Sequence, residues 1–301
     1  MIQKKDLLLL LVIFSSIGVG IGLPTVGKGF IPYLLQFMMF LLFFSFLKIE
    51  FAQVLKNIRK TTSQIFVLCS FKLLILPIGL FFFAQAVWPQ YAVPVLLLSG
   101  ISTGVTAPFI SGLLNASTLP VLMMVVISSF LVPLSLPALV SALIGRSFEI
   151  SFLSMVKTLA MVVFLPAVGA ILLRRGSPLA LRKLEKAEFP VSLVIFACTN
   201  LGVFSKYSSF FNERPVELAG TILVAFILSI LYHLAGFLVT WGQKKGDRLA
   251  GAISFAYMNN ILVMVFSSEF FGPLSVALAA MYLLPFFTMI VPARIFGDIF
   301  K

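Results

Sequence analysis

"GISTGVTAPFISG", residues 100–112, sets glycines, hydroxyls and a proline inside an apolar run that extends over 92–114. A run of that length spans a hydrocarbon core as a helix of about 20 residues. Gly100 and Gly104 nevertheless lower helix propensity, and Pro108 removes a backbone donor and clashes one turn back. Thr103 and Thr106 carry hydroxyls that can rebond freed carbonyls or face a solute. Alone, the stretch describes a proline kink in a packed helix. A second stretch, "SFAYMNN" at 254–260, changes that reading, because Asn259 and Asn260 interrupt another apolar run in a comparable place.

Working outward, the whole chain is lipid-like. Sixty per cent of its 301 residues are hydrophobic and 11% are charged. Mean hydropathy is +1.13, far from the usage of soluble domains. Apolar runs suggest ten spans, at 6–23, 30–47, 64–87, 92–114, 118–143, 151–173, 189–204, 217–241, 249–271 and 273–297. The opening "MIQKKDLLLLLVIF" has the charged start and apolar middle of a signal peptide, but the nine later spans favour an uncleaved first helix. Cys69 and Cys198 lie in apolar segments without metal-type spacing.

The net charge of +12 does not point to nucleic acid, since the cations sit at span ends along the chain instead of clustering on one surface. Sixteen of them fall on one side of the alternating spans: at the N-terminus, around 48–60, at 174–186, at 244–248 and near the C-terminus. Lys28, Arg146, Lys206 and Arg214 fall on the other. This asymmetry places both termini in the cytoplasm and predicts a multi-pass protein of the cytoplasmic (plasma or inner) membrane. Lys72 and Lys157 lie within the spans.

The spans repeat a pattern. Residues 1–148 and 149–301 each hold five segments, the fourth of each interrupted by small and polar residues. Five being odd, the halves would be inverted repeats about an in-plane axis. Opened backbone at membrane depth is tolerated where it lines an enclosed or watery cavity, so matched interruptions mark a transporter-type binding site. The fold class expected is therefore an all-α polytopic membrane protein, with ten transmembrane helices in two inverted five-helix repeats.

Residues 98–145, "LSGISTGVTAPFISGLLNASTLPVLMMVVISSFLVPLSLPALVSALIG", resemble the fourth and fifth helices of the bile acid:sodium symporter family, within the wider bile/arsenite/auxin-carrier-like superfamily. There a G-x-T-A-S-N segment precedes a helix with a P-L-x-x-P-like end. Here the counterparts are Gly104 to Phe109 and Pro133 to Pro137. "FMMFLLFFSFLKIEFAQVLKNIRK" (37–60), "LYHLAGFLVTWG" (231–242) and "YMNN" (257–260) are similar to further family segments. The resemblance implies a panel of helices 1, 2, 6 and 7, a core of helices 3–5 and 8–10 in which broken helices 4 and 9 cross, and transport of organic anions, commonly with sodium.

The sodium chemistry departs from that pattern. Aligning Met258-Asn259-Asn260 on the family's M-Q-N places Phe255 where the family has a sodium-binding Glu. Pro108 and Phe109 stand where the liganding Ser and Asn belong. Val125 and Val126 fall near hydroxyl-bearing positions of helix five, although Ser128 and Ser129 follow. A sodium site wants several oxygens and usually a carboxylate, and all ten acidic residues fall in loops or near span ends. Sodium coupling is thus not expected, leaving uniport or proton coupling through His233.

Lys72 and His233 lie about 12 Å deep, at about 1.5 Å per residue. Lys72 is expected to snorkel to the cytoplasmic headgroups, with attraction of an anionic solute as the alternative. His233 is expected to bond between helices, or else to carry a proton. The aromatic runs "FLLFFSF" and "LFFFAQ" read as lipid-facing or packing residues, Asn115 as a helix cap, and 174–188 as a basic amphipathic link at the lipid surface. Without a nucleotide loop, H-E-x-x-H or G-x-S-x-G, no catalytic residue, metal ligand or cofactor is assigned and the chain is not expected to be an enzyme.

The functional expectation is a secondary transporter of a small organic, anionic solute working by alternating access. Its ligands would be Thr103, Thr106, Ser128, His233, Asn259 and Asn260, with Gly104 and Pro108 breaking the helix. Partners would be the solute and membrane lipids, with no nucleic acid and no soluble partner. The alternatives are a non-transporting membrane sensor or assembly protein on the same fold, and an auxin-carrier-like efflux permease.

Overall fold

A computed structural model describes residues 4–49, 63–145, 151–290 and 292. The basic connection around Lys56, Arg59 and Lys60, the loop with Arg146, and the end of the tenth run lie outside them. Every named element among the described residues is helical. Six helices are long and apolar enough to cross a membrane: Pro24–Leu47, Ser63–Val87, Thr118–Leu143, Phe152–Gly176, Leu179–Lys206 and Pro215–Val239. Shorter apolar helices accompany them at Leu11–Gly22, Asn260–Phe270 and Pro273–Thr288. The chain is a multi-pass membrane protein.

We number the helices α1 Lys4–Gly22, α2 Leu34–Leu47, α3 Ser63–Val87, α4 Ala92–Gly100, α5 Ala107–Leu113, α6 Thr118–Leu143, α7 Phe152–Gly176, α8 Pro178–Lys206, α9 Pro215–Val239, α10 Lys245–Ala256, α11 Asn260–Phe270, α12 Pro273–Met281 and α13 Leu283–Thr288. The chain divides into two compact units, each built from two separate stretches: 1–49 with 160–216, and 50–159 with 217–301.

In the first unit, α1 and α2 pack on α8. Lipid offers no hydrophobic drive between helices, so small and polar contacts matter. Asn200 Nδ2 donates to Ser16 Oγ at 3.1 Å, and Ser205 Oγ to the Gly20 carbonyl at 3.3 Å. At the polar end, Lys48 Nζ pairs with Glu188 Oε1 at 2.6 Å. The expected basic link 174–188 is largely helix: α7 runs to Gly176, and α8 restarts at Pro178. A proline suits a first helical turn, and Ser177 caps it by accepting from Ala180 N.

In the second unit, α4 and α12 are buried on nearly every face, α4 packing against α3 and α12. Helices apolar all round belong in an interior. Backbones touch where α9 meets α10: a Cβ on Gly251 would lie 2.5 Å from the Gly236 carbonyl oxygen. In α3, Phe71–Ile75 widens into a π-turn just before Pro77, whose missing N–H and bulky ring disturb the preceding α-helical bonding. The aromatic runs divide by helix face. Phe40, Phe82 and Phe83 are exposed, as lipid-facing residues are, whereas Phe44, Phe46 and Phe81 are buried. Cys69 and Cys198 are free. Asn115 follows α5 in the left-handed conformation at φ 54°, the geometry of a helix C-cap.

Candidate functional site

The second unit contains two interrupted helices, and their interruptions pair. After Gly100 the chain turns extended at Ile101 and remains unwound until Ala107. Between α10 and α11 only Tyr257 to Asn259 are unwound. The openings meet as one antiparallel bridge between Thr103 and Met258. Gly104 N donates to the Tyr257 carbonyl at 2.8 Å, and Asn259 N to the Ser102 carbonyl at 3.0 Å. Two openings that would each leave backbone groups unsatisfied at membrane depth satisfy one another.

Gly104 is required by this contact. A Cβ there would lie 2.4 Å from the Met258 carbonyl oxygen. Pro108, expected to break the helix, stands just past the interruption. It occupies the first turn of α5, where no backbone donor is needed, so it starts a helix instead of kinking one.

The polar residues divide by what they already hold. Thr103 Oγ1 donates to the Ser254 carbonyl at 2.7 Å, and its N–H donates to Ser128 Oγ at 3.0 Å. Ser128 in turn donates to the Met124 carbonyl. Both residues therefore tie the bridge to α10 and α6. Thr106 is exposed beside α5 and makes no side-chain cap bond. Asn259 caps α11, its Oδ1 accepting from Leu262 N at 3.2 Å, while its Nδ2 has no partner. Asn260 is 6% exposed, and neither Oδ1 nor Nδ2 has a partner. Its carboxamide is uncommitted at both ends, beside the unpartnered hydroxyls of Ser102, Ser254 and Tyr257.

The C-terminal end of α10 is fully supplied. A helix leaves its last four carbonyls without intrahelical donors. Here Tyr257 N reaches Ile253 O at 3.0 Å, Thr103 Oγ1 reaches Ser254 O, Lys72 Nζ reaches Phe255 O at 3.3 Å and Tyr282 Oη reaches Ala256 O at 2.8 Å. Lys72 also donates to the Ser99 carbonyl in the last turn of α4 at 3.3 Å, and its Nζ lies 5.7 Å from the centre of the Tyr232 ring. It is 0% exposed. The expected snorkelling lysine is thus corrected: Lys72 points inward, held by the π-turn of α3 against two helix ends. The sequence signal for it was a lysine in an apolar run, but only the three-dimensional convergence of α4 and α10 shows where its ammonium goes.

His233 differs from its expected interhelical bond. Nδ1 contacts the Ser229 carbonyl one turn back on α9 at 2.7 Å, and Nε2 has no hydrogen-bond partner. Its ring meets Tyr257 edge-on at 5.7 Å, which puts it beside the second opening. Beyond His233, at the start of α3 and just past the end of α9, Ser63, Gln64, Leu68, Thr240 and Gln243 border a cavity of about 350 Å³. No group of His, Cys, Asp and Glu suited to a metal ion occurs among the described residues.

A multi-pass membrane protein whose described elements are all helical, with two paired helix interruptions and a buried lysine, is what these features define. Residues 32–214, more than half of the chain, match the sodium bile acid symporter family, and the protein belongs to that family, whose members are membrane transporters rather than enzymes. The match includes the first opening and ends before the second. No curated protein matches the chain.

Proposed function

We propose that this protein is a secondary transporter that moves a small organic anion across the cytoplasmic membrane by alternating access. The observation that carries the proposal is Asn260: a buried carboxamide with four unmade hydrogen bonds, placed on the first turn of α11 beside the paired openings. A buried polar group without a partner is costly in a packed interior, and a solute that supplies donors and acceptors relieves that cost. The positive end of the α11 dipole favours negative charge on the solute. Asn259 Nδ2, Thr106 and the Nε2 of His233 are further ligands in this reading. Thr103, Ser128 and Gly104 hold the bridge that positions them.

The same reading takes the chain as ten transmembrane helices in two inverted five-helix repeats, 1–148 and 149–301, with both termini cytoplasmic. The unit of 1–49 and 160–216 is then the panel, and the unit of 50–159 and 217–301 the core that carries the crossing broken helices. What supports this is the alternation of basic residues and the mutual pairing of the two openings. The residues that depart from the family's sodium ligands, Phe255 and Pro108 among them, favour a carrier that does not need sodium.

The test is uptake of labelled organic acids by protein reconstituted in liposomes, with and without sodium and pH gradients. Saturable flux or exchange of an acid is expected, falling about tenfold in Asn260→Ala as hydrogen bonds to a charged solute are lost. Absence of flux for every acid tried would favour a membrane sensor on the same fold.

A further inference from the structure

Breaking two helices inside one unit creates two buried C-terminal ends, those of α4 and α10. Each carries carbonyls without helical donors and the negative pole of its helix, roughly half an elementary charge. Two such ends side by side make a strongly cation-attracting place. In carriers with interrupted helices, unwound carbonyls and half-helix C-terminal ends are the groups that coordinate a coupling cation.

In this chain that place is already filled. Lys72 Nζ donates to Ser99 O of α4 and Phe255 O of α10, both at 3.3 Å, and lies over the face of Tyr232. It is the group that bridges both ends. Neighbouring carbonyls of α10 receive neutral donors from Thr103 and Tyr282, so hydrogen bonding alone does not call for a charge here. Among the described residues no carboxylate lies within ion-pair distance of Nζ. The ammonium is therefore balanced by two helix ends and an aromatic face, which are the partners a free monovalent cation would have.

We infer that the Lys72 ammonium is a tethered cation occupying the position that a free monovalent cation would take between the C-terminal ends of α4 and α10, so that the protein binds no sodium there and acquires a sodium site when the ammonium is removed. The inference deepens the transport reading, on which it rests for its meaning in coupling. The charge that stabilises the paired openings travels with the protein and draws nothing from an ion gradient. A sodium ion and the ammonium exclude each other, since two unit charges would share one set of neutral oxygens.

The experiment measures sodium binding to the purified full-length chain without solute, by saturable uptake of radiolabelled sodium and by Tm in sodium chloride against choline chloride at equal ionic strength. The wild type is expected to bind no sodium saturably and to show the same Tm in both salts. Lys72→Ser is expected to melt lower in choline and to rise by about 2–4 °C in sodium at several times its Kd, with saturable binding. Lys72→Arg keeps the charge and should show neither response. Saturable sodium binding by the wild type overturns the inference whether or not either variant folds. A folded Lys72→Ser protein with no sodium response overturns it as well. Because no solute is present, a protein that moves no organic acid still answers the question, and failure of the transport proposal is read separately in the liposome assay.

Discussion

The two openings in the second unit do different work with similar means. The first, from Ile101 to Thr106, is the longer, and it is tied to its neighbours by Thr103 Oγ1 to Ser254 O, by Thr103 N–H to Ser128 Oγ and by the close approach of Gly104 to the Met258 carbonyl. The second, from Tyr257 to Asn259, is short and opens directly onto Asn259 and Asn260, whose amide groups are mostly without partners. The first opening is held mainly by contacts to backbone, and the second keeps carboxamide groups that those contacts do not use. Small residues and hydroxyls can rebond backbone, whereas carboxamides retain capacity after the backbone has been satisfied.

This contrast can be broken in order of size. Gly104→Val should have the largest effect, because the new side chain would meet the Met258 carbonyl and force the bridge apart. A loss of about 3 kcal/mol or more, or no folded protein at all, is expected from the melting curve or the monodisperse yield. Asn260→Ala should separate function from stability: flux falls about tenfold, equivalent to about 1.4 kcal/mol, while Tm stays within about 2 °C of wild type. A Tm collapse there would place Asn260 in the scaffold and erase the distinction. Thr103→Val keeps the shape and removes the bond to Ser254, so it should lower stability by about 1–2 kcal/mol. Flux lost without any change in melting would instead make Thr103 a solute ligand. Lys48→Ala sharpens the contrast from outside. The Lys48–Glu188 pair joins α2 and α8 with the lysine 67% exposed, and its removal should change stability by less than about 1 kcal/mol and leave sodium-free flux untouched.

Much of the fold was legible because hydrophobic run length is a direct record of lipid burial. The expected span 118–143 coincides with α6, and the interruptions near Gly100 and Asn259 fall where helices end. Local rules failed where a neighbour changed a residue's task. Lys72 read as a snorkelling residue and is buried against two helix ends, whereas Pro108, read as breaking the helix, stands in the first turn of α5 just past the break. The segment 174–188, read as a basic amphipathic link, is carried mostly by α8 from Pro178 onward. Within the site, residue types were readable and their employment was not: Thr103, Ser128 and Asn260 are similar candidates on paper, and only hydrogen-bond partners distinguish them.

Lys72 marks the boundary most plainly. By itself the sequence determined that this is a helical membrane protein, roughly where its helices lie, and which stretches are too polar to remain helical, since each of these follows from composition within a short window. Only the tertiary structure decided that the two openings pair, that Gly104 lies against Met258, and that the ammonium of Lys72 turns inward. Those outcomes depend on the electrostatic field and close contacts created when residues more than 150 positions apart come together, which no local pattern records.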